Sequence, residues 1–355
     1  MVKTRMIFSY PLCWVIFATF VFMILVTGGT GLVGAHLLLR LADSGNTLRA
    51  LYRNPTTLAK TKHVFAHYGK QHLFDAIDCV QGDILDVPSL EPAFAGVTHV
   101  YHCAAFISFD PRDEDLLRKT NIEGTANMVN CALAFGVQKF CHVSSIAALG
   151  DSPQPGGTIT EETEWNPEKS HDDYAISKYG AEMEVWRAWQ EGLQVVIVNP
   201  GIIFGYGYWN QGSGAILRAV ERGQYFYTLG SCGFVTVEDV TNIMVQLMQS
   251  NVSGERYTVV GNNLTYKEVL DTIADDLNKS RPTIHATRAL TSFAWRADWL
   301  LSLFTRKRML TRSMAQSAHA KELYDTGKIK KELDYKFIGL KPYLHELCAL
   351  FAKRG

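Results

Sequence analysis

The stretch from Met23 to Gly34, Met-Ile-Leu-Val-Thr-Gly-Gly-Thr-Gly-Leu-Val-Gly, constrains this chain more than any other. Four apolar residues run directly into glycines, and an amphipathic segment from Leu32 to Ser44 follows, closed by Gly45 as a C-terminal cap. A buried strand feeding a glycine turn that opens a helix is the arrangement in which backbone N–H groups approach a phosphate. Gly28 permits the tight turn, Gly31 leaves room for a pyrophosphate, and Gly34 lets the helix pack closely. With Thr27, Leu32 and Val33 they form a predicted dinucleotide cradle.

Strand and helix signals then alternate to about residue 200. Apolar runs predict strands at Met23–Val26, Thr47–Tyr52, Ala76–Val80, His99–Ala104, Lys139–Ser144 and Gln194–Val198. Helices are expected at Asp113–Phe135 and Tyr174–Gln190 among others, so the expected fold class is α/β, a Rossmann-type doubly wound parallel sheet. From Gly201 to Gly214 glycines and aromatics crowd together, too densely for regular structure, which reads as a loop. Phe204, Tyr206, Tyr208 and Trp209 there either face a ligand or pack a domain junction. A strand-plus-helix unit returns at Phe234–Gln249 and a strand at Arg256–Val260. The expected organisation is a dinucleotide-binding domain over 23–200 with 234–260 returning to it, and a smaller, mostly helical substrate-binding region over 201–233 and 261–355. The apolar face of Phe293–Phe304 suits a core or lid helix, with a membrane-lying helix as the alternative.

Thirty-five basic residues balance thirty-five acidic ones among 355, with none of the cationic excess that nucleic-acid binding requires. A small-molecule partner is expected, and no nucleic acid. Seven cysteines, at 13, 79, 103, 131, 141, 232 and 348, form no metal-ligand spacing. They read as buried thiols in a reducing compartment, including Cys103 and Cys141, which end neighbouring predicted strands, and no metal site is expected. Residues 1–22 form an apolar extension, with Lys3 and Arg5 ahead of Met6–Phe22, but the strand starting at Met23 is needed in the sheet. The segment reads as an over-called start, with Met23 the natural beginning, or as an anchor. The expected location is cytoplasmic, or membrane-associated if the segment anchors the chain.

A carboxylate at the end of the second strand, about twenty residues past the glycines, would select NAD. Here Leu51-Tyr52-Arg53-Asn54-Pro55 offers none, and Arg53 supplies a guanidinium for a 2′-phosphate. NADP is the expected cofactor, with NAD as the alternative. Further on, Tyr174-Ala-Ile-Ser-Lys178 sets a phenol and an ammonium one helical turn apart, after a strand ending in Ser144-Ser145. A tyrosine is a poor acid/base near neutrality unless its pKa is lowered, and Lys178 is expected to lower it.

The ordered set TGGTGLVG at 27–34, GDILD at 82–86, YHCAA at 101–105, NIEGT at 121–125, VSSIAALG at 143–150, YAISK at 174–178, VNPGIIFG at 198–205 and FVTVEDV at 234–240 resembles the extended short-chain dehydrogenase/reductase superfamily, the NAD-dependent epimerase/dehydratase type, over about residues 23–350. By that resemblance Ser145, Tyr174 and Lys178 match the catalytic residues and Asn121 the supporting asparagine. Asp83 and Ile84 match adenine-side contacts, and Ala104 and Ala105 line the cofactor. Asn199, Pro200 and Ile203 match positions flanking the nicotinamide.

Dehydratases of the superfamily carry an Asp-Glu pair after the catalytic Ser/Thr, where this chain has Ile146-Ala147. Its sugar-nucleotide epimerases carry Arg-Asp before the aromatic of the last motif, where this chain has Cys232-Gly233. The remainder resembles the dihydroflavonol-reductase-like and 3β-hydroxysteroid-dehydrogenase-like group. The resemblance implies hydride transfer between NADP(H) and a ketone or alcohol carbon of a largely apolar substrate, and is compatible with a homodimer. The alternatives are a sugar or sugar-nucleotide epimerase/dehydratase and a catalytically idle cofactor-binding scaffold. His142 and His171, near these motifs, read as structural or solvent-exposed.

Overall fold

The computed structural model describes residues 22–152, 154, 156–305, 308 and 310–354, with the backbone alone at 303–305. The N-terminal segment, as far as residue 21, and Cys13 lie outside the described residues. The central sheet has strands β1 (Met23–Thr27), β2 (Thr47–Tyr52), β3 (Asp78–Gln81), β4 (Val97–His102), β5 (Lys139–Val143), β6 (Gln194–Pro200) and β7 (Glu255–Val259). All seven are parallel, in the order β3-β2-β1-β4-β5-β6-β7. The strand order reverses between β1 and β4, and the crevice at their carboxyl ends is the general ligand site of such sheets.

Continuous apolar strands fit because helices cover both faces. Five helices matter here: α1 (Leu32–Asp43), α2 (Gly124–Ala134), α3 (Asp173–Gln190), α4 (Val237–Gln249) and α5 (Arg288–Thr305). Ile24, Val26 and Val198 enter one core with Leu37 and Leu41 of α1 and Val240 and Met244 of α4. Leu25, Phe140 and Ile197 point the other way, into a core with Met128 and Ala132 of α2 and Val185 of α3. Alternate residues of one strand thus serve opposite cores.

The third predicted strand begins two residues later than expected, and the predicted helix Asp113–Phe135 is interrupted. A π-helical turn at Arg118–Glu123 leads into α2, and Asn121 sits on it. Such a turn shifts helical register and often marks a functional position. Part of the segment expected to lack regular structure is a strand. Ile202–Phe204 pairs parallel with Ser231–Thr236, which pairs antiparallel with Asn262–Thr265. The Phe234 strand therefore joins this small second sheet, while α4 behind it returns to the main one. Helix α5 departs from the expected core helix, because none of its described side chains is buried.

Candidate active site

Parallel register brings the carboxyl ends of the central strands level: Thr27 stands opposite His102, His102 opposite His142, and Val143 opposite Val198. At Gly28, φ is +66°, and a Cβ would lie 2.6 Å from the backbone of Cys103 and Ala104. At Gly34 a Cβ would lie 2.3 Å from the Gly28 carbonyl, so both glycines are required by packing. Gly31 differs. A Cβ there would meet only the Gly28 oxygen, at 3.4 Å. Gly31 also forms the N-cap of α1 without any side-chain cap, which leaves backbone donors and the positive end of the helix open. The protein's own packing does not demand a glycine at 31, whereas a phosphate approaching this helix end does. The cradle fits a dinucleotide, with Leu32 and Val33 in the helix's first turn.

Thr27 is buried behind the cradle, its Oγ1 2.7 Å from His102 Nδ1 and accepting from the Ala104 N–H at 3.2 Å. Ala104 and Ala105 open the irregular loop after β4, Ala105 being exposed. At the end of β2, Arg53 is largely exposed and lies 3.8 Å from Asp83 beyond β3. Asp83 also accepts from the Leu85 N–H, and buried Ile84 packs where a Cβ on Gly124 would strike it, at 2.6 Å.

Tyr174 and Lys178 occupy the first two turns of α3, which Asp172 caps by accepting from the Ala175 N–H at 2.7 Å. Ser145 caps the short helical turn after β5 by accepting from the Ala147 N–H, and its hydroxyl interacts with the Tyr174 phenol. Lys178 donates to the Val143 carbonyl at 2.8 Å. The phenol departs from the expected pKa. Burial pushes it up to about 12, with the Ser145 hydroxyl opposing and Asp172 reinforcing. Burial brings the Lys178 ammonium down to about 8, against the opposing charge of Glu182.

Asn121 faces the loop after β4 rather than the phenol. It donates to the Phe106 carbonyl and to Ser177 Oγ, both at 2.9 Å, and accepts from the Phe106 N–H at 2.7 Å. Asn199 donates to the Ser145 carbonyl at 3.0 Å and to Glu182 at 2.9 Å, and its Oδ1 has no partner among the described residues. Pro200 ends β6, and Ile203 lies in the following short strand.

Among the described residues neither histidine hydrogen-bonds the phenol. His142 is buried, stacked on His102 at 5.4 Å between centroids, and burial holds its pKa well below the usual histidine range. His171 stacks on Trp165 at 3.8 Å and lies 3.3 Å from Asp151. The described cysteines are free thiols, and burial raises both Cys103 and Cys141.

Three features escaped the sequence reading. Fully buried Glu182, one turn beyond Lys178, accepts from Ser144 Oγ at 2.7 Å, Asn199 at 2.9 Å and Arg256 at 2.9 Å. Arg256, at β7, also donates to the Glu161 carbonyl. Exposed Phe109 lies 5.6 Å from the Tyr174 ring, with exposed Ile107 on the same loop. Only the spacing Tyr174, Lys178, Glu182 hinted at any of this. The aromatics after Gly201 pack the junction: Phe204 is buried against Phe234, Tyr206 stacks on His67 at 3.6 Å, Tyr208 is buried, and Trp209 meets Phe351.

Residues 24–261 match the family model described as the NAD dependent epimerase/dehydratase family. Sterol demethylase protein B of Methylococcus capsulatus is 30% identical over 264 residues, 73% of this chain and 76% of that protein. A putative dihydroflavonol 4-reductase of Synechocystis sp. is 28% identical over 341 residues, 93% of this chain and 94% of that protein. The crystal structure of UDP-glucose 4-epimerase from Thermotoga maritima with UDP-glucose superposes with a TM-score of 0.74 at 19% identity, covering 93% of this chain and 99% of that one.

Removing one partner of a buried ion pair leaves an uncompensated charge and costs about 3–5 kcal/mol. Glu182→Ala is therefore expected to lower unfolding free energy by about that amount in urea titrations. A loss under about 1 kcal/mol, the worth of an exposed pair, would contradict this role for Glu182.

Proposed function

The chain belongs to the NAD dependent epimerase/dehydratase family, and on that footing we propose that it transfers a hydride between NADP(H) and the ketone or alcohol carbon of a small, largely apolar substrate. The observation that carries this reading is the Tyr174 ring 5.6 Å from the exposed Phe109 ring, with Ser145 beside the phenol. A proton donor is thereby held beside the exposed apolar side chains Phe109 and Ile107. Relatives named for a sterol and for a dihydroflavonol support the same substrate class. We assign cofactor binding to residues 23–200 with 234–260, and substrate binding to 201–233 and 261–355.

A bound nicotinamide dinucleotide would supply or accept the hydride. Gly28, Gly31 and Gly34 with Thr27, Leu32 and Val33 would hold its pyrophosphate; Arg53, Asp83 and Ile84 would serve the adenosine end; Ala104, Ala105, Asn199, Pro200 and Ile203 would line the rest. Tyr174, protonated throughout the neutral range, donates its proton to the substrate oxygen during reduction. Ser145 hydrogen-bonds that same oxygen. Lys178 keeps one donor on Val143, and its remaining donors would hold the ribose. Asn121 is a positioning residue, tying the loop after β4 to Ser177.

Absence of the acid pair after Ser145 disfavours dehydration. Cys232, at the position of the epimerase arginine, is buried among Phe204, Phe234 and Tyr324, which disfavours gripping a diphosphate there. An NAD-linked epimerase is the second reading, favoured by one feature. A cavity of about 250 Å³ beside Gly230 is lined by His285, Arg288, His319 and Lys321, with no acid, and suits a diphosphate. The intact Ser145, Tyr174 and Lys178 set disfavours an idle scaffold.

A panel of apolar ketones and aldehydes incubated with NADPH tests the reading: net cofactor oxidation with at least one member is expected, and none with any member contradicts it. With that substrate, Tyr174→Phe is expected to lower turnover by about 10²–10⁴-fold while leaving NADPH affinity unchanged. Turnover of the variant close to the natural protein's would move the acid elsewhere. For the natural protein, reductive kcat/KM should be level at neutral pH and fall as pH rises through about 8, where Lys178 loses its charge. A rise over that interval would contradict the assignment.

Cofactor choice is a separate expectation. NADPH should bind more tightly than NADH, and Arg53→Asp should remove a preference of about 10- to 100-fold. Equal affinity of the natural protein for both cofactors would end the assignment of Arg53.

A further inference from the structure

Helix α5 turns its apolar side away from the body of the protein. Two of its polar residues face inward: Thr291 Oγ1 lies 2.9 Å from His319 Nε2, and Asp298 accepts from the Leu310 N–H at 3.2 Å and lies 3.5 Å from Arg308. Its large apolar residues face out, with Phe293 72% exposed, Leu300 54%, Trp299 47% and Leu290 39%. Leu290, Phe293, Ala297 and Leu300 are spaced by three, four and three, so they form one stripe along the helix. Phe226 and Ile284, paired in the two-stranded ribbon ahead of the helix, add two more exposed apolar side chains. An outward apolar stripe loses hydrophobic free energy unless something covers it.

Charge identifies what covers it. From Thr287 to Gln316 the chain carries six cations, Arg288, Arg296, Arg306, Lys307, Arg308 and Arg312, and one acid, Asp298, although its overall net charge is zero. Arg288, Arg296 and Arg312 are exposed. A second copy meeting this face about a twofold axis would bring like charges together, which opposes self-association. No helix among the described residues is long and apolar enough to cross a membrane. An apolar stripe edged by Arg296 and Trp299, in a segment rich in cations, instead suits a helix lying in the interface, with its stripe at the acyl boundary and its cations among anionic headgroups. We propose that α5 docks the protein onto the surface of an anionic lipid bilayer.

Flotation of the full chain with phosphatidylglycerol/phosphatidylcholine vesicles, against phosphatidylcholine alone, tests this. The natural protein is expected to bind the anionic vesicles. Phe293→Glu/Leu300→Glu should weaken that binding by about tenfold or more, because two large apolar groups leave the acyl boundary. Arg296→Glu should reduce it toward the level seen with phosphatidylcholine. All three positions are exposed, and NADPH binding by each variant checks that it is folded. Absence of vesicle binding by the natural protein would overturn the proposal. So would undiminished binding by Phe293→Glu/Leu300→Glu, which would place the lipid contact elsewhere in the chain. A dimer of the natural protein without lipid, dissociated by that same variant, would assign the face to a second copy and also overturn it.

Discussion

One buried carboxylate ties together the parts of the candidate site. Glu182 lies on α3 one turn beyond Lys178 and two beyond Tyr174, and it accepts hydrogen bonds from Ser144 after β5, Asn199 on β6 and Arg256 on β7. The helix that carries the phenol and the ammonium is thus tied to three adjacent strand ends. Asn199 extends the tie to the Ser145 carbonyl, and Lys178 adds a bond to Val143. Side chains on rigid elements, oriented by a supporting hydrogen-bond shell, hold a reactive geometry better than side chains on free loops. The wall after β4 is a loop, and Asn121 grips its Phe106 backbone from both the donor and acceptor sides.

Burial then sets the protonation states. It raises the Tyr174 phenol and lowers the Lys178 ammonium, which gives a protonated donor beside a cation that titrates near neutrality. The same burial holds His102 at about 3 and His142 well below its ordinary value, leaving both imidazoles neutral behind the cradle. The phenol is thereby the better-placed acid for reduction, since a carbonyl oxygen gaining a hydride needs a proton.

What could be read in the chain depended on sequence distance. The glycine cradle, the alternating strands and the Tyr174–Lys178 pair are local patterns, each within one turn or one strand, and the buried sheet followed from runs such as Met23–Val26. The Glu182–Arg256 pair joins residues 74 apart and leaves no periodic trace. Asn121 was recognisable by its motif, but the π turn that aims it was not, since such a turn depends on packing. The aromatics at 204–209 look the same in sequence whether they line a pocket or fill a junction, and contacts with His67, Phe234 and Phe351 decide for the junction. Helix α5 shows the limit of amphipathic patterning: periodicity marks an apolar face without saying which way it turns.

The account rests on net hydride transfer with a proton from the protein, and isotope labelling measures that most directly. NADPH deuterated at the transferable position of C4, incubated with the protein and a ketone it turns over, is expected to place deuterium on the product carbinol carbon, with one NADP+ formed per product molecule. Interconversion of stereoisomers with a retained cofactor, no net NADPH consumption and no deuterium in the product would contradict the account and establish epimerisation instead.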